Sequence, residues 1–207
     1  MLISRRAFAL GLPALLGGCG GAQSVWAPDD AIQRAAYRHD GPPMVTLFTM
    51  KNAESDNGAH TGLMINASQR VIFDPAGTFG HPTIPERNDL HYGITPALEE
   101  FYVTYHARVS YYVVRQDAPV TLAQAEAAFA QARVEGPVPK AACTMATARV
   151  LRAMPGWEDI SVTLFPDNLA RQFARKPGVT EREVREDDSA DKDEAQAAFE
   201  AALQAGE

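Results

Sequence analysis

Proline brackets the segment Gly136-Pro-Val-Pro139-Lys140-Ala-Ala-Cys143-Thr-Met-Ala-Thr-Ala-Arg149-Val-Leu-Arg-Ala-Met154-Pro-Gly156 so closely that one local structure fits it. Pro137 and Pro139 keep the entering chain out of a helix, the run after them favours one, and Pro155-Gly156 ends it. Cys143 therefore falls in the first helical turn. Unpaired backbone N–H groups and the positive end of the helix dipole favour a thiolate there, which is how a cysteine becomes nucleophilic. The position equally suits a small buried core residue, because free cysteines are among the most buried side chains.

The other cysteine lies in a targeting segment. Ser4-Arg5-Arg6-Ala7-Phe8 reads as a basic region of twin-arginine type, followed by an apolar run through Gly18. That run is well below the roughly 20 residues needed to span a bilayer. Leu16-Gly17-Gly18-Cys19 resembles a bacterial lipobox, in which the cysteine becomes the lipidated first residue of the mature chain. Acylation of Cys19 leaves Cys143 without an intramolecular partner, so a disulfide-stapled fold is excluded and the core must hold the domain together. The expected location is the periplasm, with the chain anchored by lipid to the inner or outer membrane. A cysteine kept unpaired in that oxidising compartment points to chemical use.

A hydrophobic content of 46% supports one domain with a substantial core. The net charge of −7 is concentrated in residues 181–207, where ten acidic residues face three basic ones. A balanced body with an acidic tail offers no basic surface for nucleic acid. We expect a signal peptide over 1–18, a lipidated tether over 19–41 with a short helix at 29–37, a folded domain over 42–178, and a disordered acidic tail over 179–207.

Within the domain, residues 45–50, 60–66 and 71–74 have the pattern of consecutive antiparallel strands. Residues 75–95 read as a long loop lying over a groove. A helix capped by Thr95 with Pro96 at its first position runs to 105, and a strand covers 109–114. A capped alanine-rich helix spans 121–133, ahead of the cysteine helix. A last strand is expected at 160–165 and a last short helix at 166–175.

A thiol nucleophile needs a base, and the base needs a group to fix its tautomer. Among the histidines His39, His60, His81, His91 and His106, only His60 heads a predicted strand directly after a polar turn. Asp74 ends the next strand, within reach of the His60 ring. The candidate catalytic unit is Cys143 as nucleophile, His60 as base and Asp74 as orienting carboxylate, with the Cys143 backbone N–H as an oxyanion donor. Each has a plainer reading: His60 as a hydrogen-bonded loop histidine, Asp74 as a turn residue before Pro75. No H-x₃-H or H-E-x-x-H spacing supports a metal site, and no cofactor is expected.

The order of these segments, His60-Thr-Gly-Leu-Met-Ile, Val71-Ile-Phe-Asp74 and Ala142-Cys143-Thr144, resembles the circularly permuted branch of the NlpC-type papain-like cysteine hydrolases. In the unpermuted families cysteine precedes histidine. The resemblance spans about residues 45–154. It implies an α+β, papain-like fold, an antiparallel sheet packed against a helix whose N-terminus carries the cysteine. It also implies amide or ester chemistry, on peptidoglycan peptides or, in relatives similar to lecithin:retinol acyltransferase, on lipid acyl groups. Many relatives have His, Glu, Asn or Gln as the third residue, so Asp74 is assigned by position. The leading expectation is a peptidase or amidase acting on cell-envelope material. The alternatives are an acyltransferase or lipid esterase, and a non-catalytic envelope lipoprotein that uses the same fold to bind a ligand or partner.

Overall fold

Strand β1 (Met44–Asn52) is buried on both faces from Val45 to Met50, so the sheet that contains it must be covered on both sides. The computed structural model describes residues 24–206; the expected signal peptide and Cys19 lie outside the described residues. Strands β2 (Gly58–Asn66), β3 (Arg70–Phe73), β4 (Glu86–Arg87), β5 (Leu90–Tyr92), β6 (Tyr111–Pro119) and β7 (Thr180–Val184) join β1 in one sheet of order β4-β5-β3-β2-β1-β6-β7. Every pairing is antiparallel. With helices α1 (Asp29–Ala35), α2 (Pro96–His106), α3 (Leu122–Ala132), α4 (Cys143–Arg152), α5 (Pro166–Phe173) and α6 (Lys192–Ala205), the described residues form an α+β fold.

Alternation along the strands sorts the core into two layers. Val45, Leu47, Leu63, Ile65, Val71 and Phe73 pack under α3, α4 and α5. Phe48, Met64, Ile72 and Val113 pack under α2, with Phe101 and Tyr102 as its main contributions. Helix α2 begins as the sequence requires, with the Thr95 hydroxyl accepting from the Leu98 N–H and Pro96 at the first position. Helix α3 has a full capping box between Thr121 and Gln124.

Four expectations need correction. The segment 179–207 is not disordered as far as it is described. β7 extends the sheet beyond β6, and α6 packs on α2, where the rings of Phe199 and Phe101 stack at 4.1 Å. β7 is almost wholly exposed, so backbone ladder bonds hold it and leave no apolar alternation to read. The predicted tether is docked from residue 24 onward: Trp26 bridges Arg87, and the Arg70 N–H donates to the Tyr37 carbonyl. The loop 75–95 contains the β4–β5 hairpin, turned by Asn88 and Asp89, both with positive φ (49° and 67°), as a two-residue hairpin turn demands. Residues 160–165 form no strand; β1 already has β2 and β6 as neighbours, and Val162, Leu164 and Phe165 are exposed.

The docking of α6 can be measured. Replacing Phe199 by alanine removes the stacked ring from a half-buried position, and we expect a loss of about 1–2 kcal/mol in urea unfolding. A tail that merely rests on the surface would show no change.

Candidate active site

β3 pairs with β2 only from Leu63 to Asn66, so it leaves the sheet at Phe73 and frees the β2 edge at His60 and Thr61. The candidate site is assembled in that gap. His60 shares its register position with Met50 and points into the α2 layer, where its ring stacks on His106 at 6.1 Å. Thr61 points the other way, with its hydroxyl against those of Thr144 and Thr147 on α4. Cys143, the first residue of α4, thus approaches from one layer and His60 from the other, and they meet around the open strand edge.

The structure brings His60, Asp74 and Cys143 together. His60 Nε2 donates to Asp74 Oδ1 at 2.8 Å, and the Tyr102 hydroxyl donates to the same oxygen at 2.7 Å. Nε2 is therefore engaged, and Nδ1 is the ring nitrogen left for the thiol. Sγ lies 3.8 Å from Thr144 Oγ1, and the Thr144 hydroxyl and the Thr61 backbone N–H both favour its thiolate. Ala142 provides no side-chain cap, so the first N–H groups of α4 remain open toward the site. Ala141, with φ 68°, makes the left-handed step that delivers the chain into this helix.

Electrostatics follows the geometry. Burial pushes the His60 imidazolium down, but the charge and hydrogen bond of Asp74, joined by Cys143, raise its pKa to about 10. Burial opposes ionisation of Asp74 too, yet His60 and the Tyr102 hydroxyl hold it well below the usual carboxylate range. For Cys143, burial pushes up, while the His60 hydrogen bond and charge outweigh it and bring the thiol to about 7. Between those values a thiolate faces an imidazolium, the reactive form of a cysteine–histidine pair.

The same shifts set a stability window. Asp74 contributes above the ordinary carboxylate range, and the contribution is lost as pH falls through its depressed folded value. His60 contributes fully below its ordinary value, and that is lost as pH rises through about 10. The pair stabilises the fold most between about pH 4 and 6.5.

Several supports escaped the sequence reading. Tyr102 and His106, one helical turn apart on α2, bring the hydroxyl on Asp74 and the ring on His60. His106 Nδ1 bonds the Tyr102 carbonyl at 2.8 Å, and burial brings its pKa down to about 4, so it is neutral. The i, i+4 spacing of Tyr102 and His106 was the available signal. Asp89 Oδ2 accepts from the N–H groups of Ala76 and Val138, tying the turn after Asp74 to the loop that leads to Cys143. Gly62 and Gly77 permit close approach: a Cβ at Gly62 would overlap the Tyr102 hydroxyl, and one at Gly77 would overlap Asp74 Oδ2. Gly62→Ala is expected to cost about 1–3 kcal/mol by overpacking and to slow Cys143 alkylation by loosening Asp74. An unchanged melting temperature and alkylation rate would show that Tyr102 is not needed to hold it.

Ligand atoms of His60, Asp74 and His106 lie within 4.8 Å of one another, the one group among the described residues with that geometry. Asp74 Oδ1 is already engaged by His60 and Tyr102. Asp74 Oδ2 has no partner among the described residues. Of the remaining histidines, His39 accepts from the Gly41 N–H, His81 bonds Thr83, and His91 is buried in β5. Beside the site lies a cavity of about 440 Å³ whose wall includes Met50, His60, Gly77, His106, Arg108 and Lys192. Cys143 is only 6% exposed and does not line it.

No protein family, curated protein or solved structure matches this chain. The site must be interpreted from its own chemistry. Helices long and apolar enough to cross a membrane are absent among the described residues.

Proposed function

We propose that this protein is a cysteine hydrolase of the permuted papain-like type, cleaving amide bonds in cell-envelope material while tethered through a lipid on Cys19. One observation carries the reading: the 2.8 Å bond from His60 Nε2 to buried Asp74 leaves Nδ1 for a thiol at an uncapped helix N-terminus.

The Cys143 thiolate attacks the substrate carbonyl carbon, and the electron pair of the C=O moves to oxygen. The Cys143 backbone N–H, at the positive end of α4, donates to that oxyanion. As the intermediate collapses, the C–N bond breaks and His60 gives its Nδ1 proton to the leaving amine, forming a thioester. Water then transfers a proton to Nδ1 and attacks the thioester, expelling the thiolate and releasing a carboxylic acid. Asp74 stays ionised throughout, holding the ring and its tautomer, while Tyr102 holds Asp74.

A specific observation favours a second reading, a non-catalytic binding protein on the same framework: the cavity is walled by His60, whereas the sulfur is buried outside it. Turnover separates the two. The full chain in detergent, incubated with peptidoglycan-derived peptides and an activated ester, is expected to release new amine and carboxylate ends detectable by mass spectrometry. Cys143→Ala is expected to release none, and EDTA to leave turnover unchanged. Absence of turnover, or equal turnover in the variant, would overturn the hydrolytic reading, and sensitivity to EDTA would move attention to the His60, Asp74 and His106 cluster.

A further inference from the structure

We propose that the cavity beside His60 binds a single negative charge on the substrate, held by Lys192, so that the site acts on acyl compounds carrying a monoanion near the scissile carbonyl. The inference deepens the proposed function and rests on reading Cys143, His60 and Asp74 as a hydrolytic unit.

The cavity departs from the charge balance of the rest of the chain. The chain carries a net −7, concentrated in the segment that supplies Lys192, yet no aspartate or glutamate lines the cavity. Its wall holds His60, His106, Arg108 and Lys192. These four groups are not equally free. Arg108 is occupied by the fold: Nε donates to the Ser189 carbonyl at 2.5 Å, another nitrogen to the Asp191 carbonyl at 3.3 Å, and the guanidinium pairs with Asp188 and Glu194. His106 is neutral and His60 is bound to Asp74.

Of the charged groups on this wall, Lys192 is the one with no carboxylate partner among the described residues. Its Nζ donates to Thr78 Oγ1 at 2.9 Å and sits 4.5 Å from the centre of the Tyr105 ring. Both contacts aim the ammonium, and neither neutralises it. Burial pushes its pKa down against the pull of Asp74, as expected of a cation that lacks a close counter-ion. Thr78 belongs to the turn that begins at Asp74, so Lys192 reaches from the C-terminal helix to the segment carrying the orienting carboxylate.

The charge count limits the ligand. One free cation matches one negative charge, and a lysine is a point charge with rotatable donors that makes no planar, bidentate demand. The carboxylate of a peptide and the diester phosphate of a lipid headgroup share this chemistry. A doubly charged phosphomonoester would leave one charge unmatched.

The test uses the full chain in detergent, with histidine ring resonances of His60 and His106 followed by NMR at pH 7. The probes are N-acetylglycinate, its neutral analogue N-acetylglycinamide, and dimethyl phosphate. At least one anion is expected to shift both resonances, with the neutral amide at least tenfold weaker. Lys192→Gln should weaken anion binding about tenfold, and Lys192→Arg should restore most of it. The tighter anion identifies the source: N-acetylglycinate a peptide, dimethyl phosphate a lipid. If the amide binds as well as the anions, or Lys192→Gln changes nothing, the proposal is overturned. Should Lys192→Gln undock α6, the anion-to-amide ratio on the native chain still decides. A low-pKa Cys143 beside a cavity indifferent to charge would sink this inference alone; an ordinary thiol beside an anion-selective cavity would sink the hydrolytic reading and leave an anion site.

Discussion

Alkylation of Cys143 by iodoacetamide, measured in a full-length Cys19→Ser variant, is expected to titrate near pH 7, and to move to about 9 or higher in His60→Ala. The sign follows from the causes of the shift. Burial alone raises a thiol, so removing His60 leaves only the raising influence and two backbone or hydroxyl donors to oppose it. At pH 6, a displacement of about two units lowers the thiolate fraction roughly a hundredfold. Part of that is returned, because a thiolate of higher pKa is more nucleophilic, with a Brønsted slope of about 0.4–0.5. The net expectation is an alkylation rate about tenfold lower at pH 6, together with the displaced inflection. Asp74→Asn should give an intermediate profile, since it removes the charge that keeps His60 protonated. A native thiol that titrates like a free cysteine, indifferent to His60, would reduce Cys143 to a core residue.

The largest loss of stability is expected at Glu99, away from the site. Glu99 lies in the first turn of α2 and accepts from both Arg70 and Arg115. The side chains are 14%, 3% and 14% exposed respectively, so the ions are held out of water. Arg115 has a second carboxylate, Asp117 at 2.8 Å, itself fixed by the Thr46 hydroxyl at 2.6 Å. Arg70 makes no other salt bridge among the described residues; its other side-chain hydrogen bond is to Met64 sulfur at 3.1 Å, and Asp117 acts on it only from beyond salt-bridge range. Glu99→Ala would strand a buried guanidinium, and breaking such a pair typically costs about 3–5 kcal/mol. With a urea dependence of about 1–3 kcal/mol per molar, the unfolding midpoint should fall by about 2 M. Replacing Glu99 together with both arginines by apolar residues should recover much of the loss. A single-variant effect below about 1 kcal/mol would mean that water reaches the cluster.

The helix carrying Cys143 was legible because its limits are set by Pro139 and Pro155, local signals that need no tertiary partner. His60 and Asp74 were legible because strand ends bound by a polar turn and a proline declare themselves. Other parts depend on three-dimensional relationships that a linear pattern hides. Tyr102, His106 and Lys192 reach the site from helix faces whose orientation is set by packing. β7 is almost entirely polar, so nothing in Thr180–Val184 marks it as a sheet member until the edge of β6 is known to be open. The acidic composition around it correctly predicted a solvated surface and wrongly suggested a chain without structure. Gly62 and Gly77 reveal their purpose only when a neighbouring side chain occupies the space where a Cβ would stand.

The thiol and the imidazole arrive from opposite layers of the sheet and meet only where β3 has turned away. Neither half of the molecule can therefore sensitise the sulfur by itself. Before both layers have docked, Cys143 lacks the His60 imidazole that lowers its pKa in the folded chain. On the proposed function, docking of the two layers would then be the step that gives the sulfur its base, so that folding and activation would coincide.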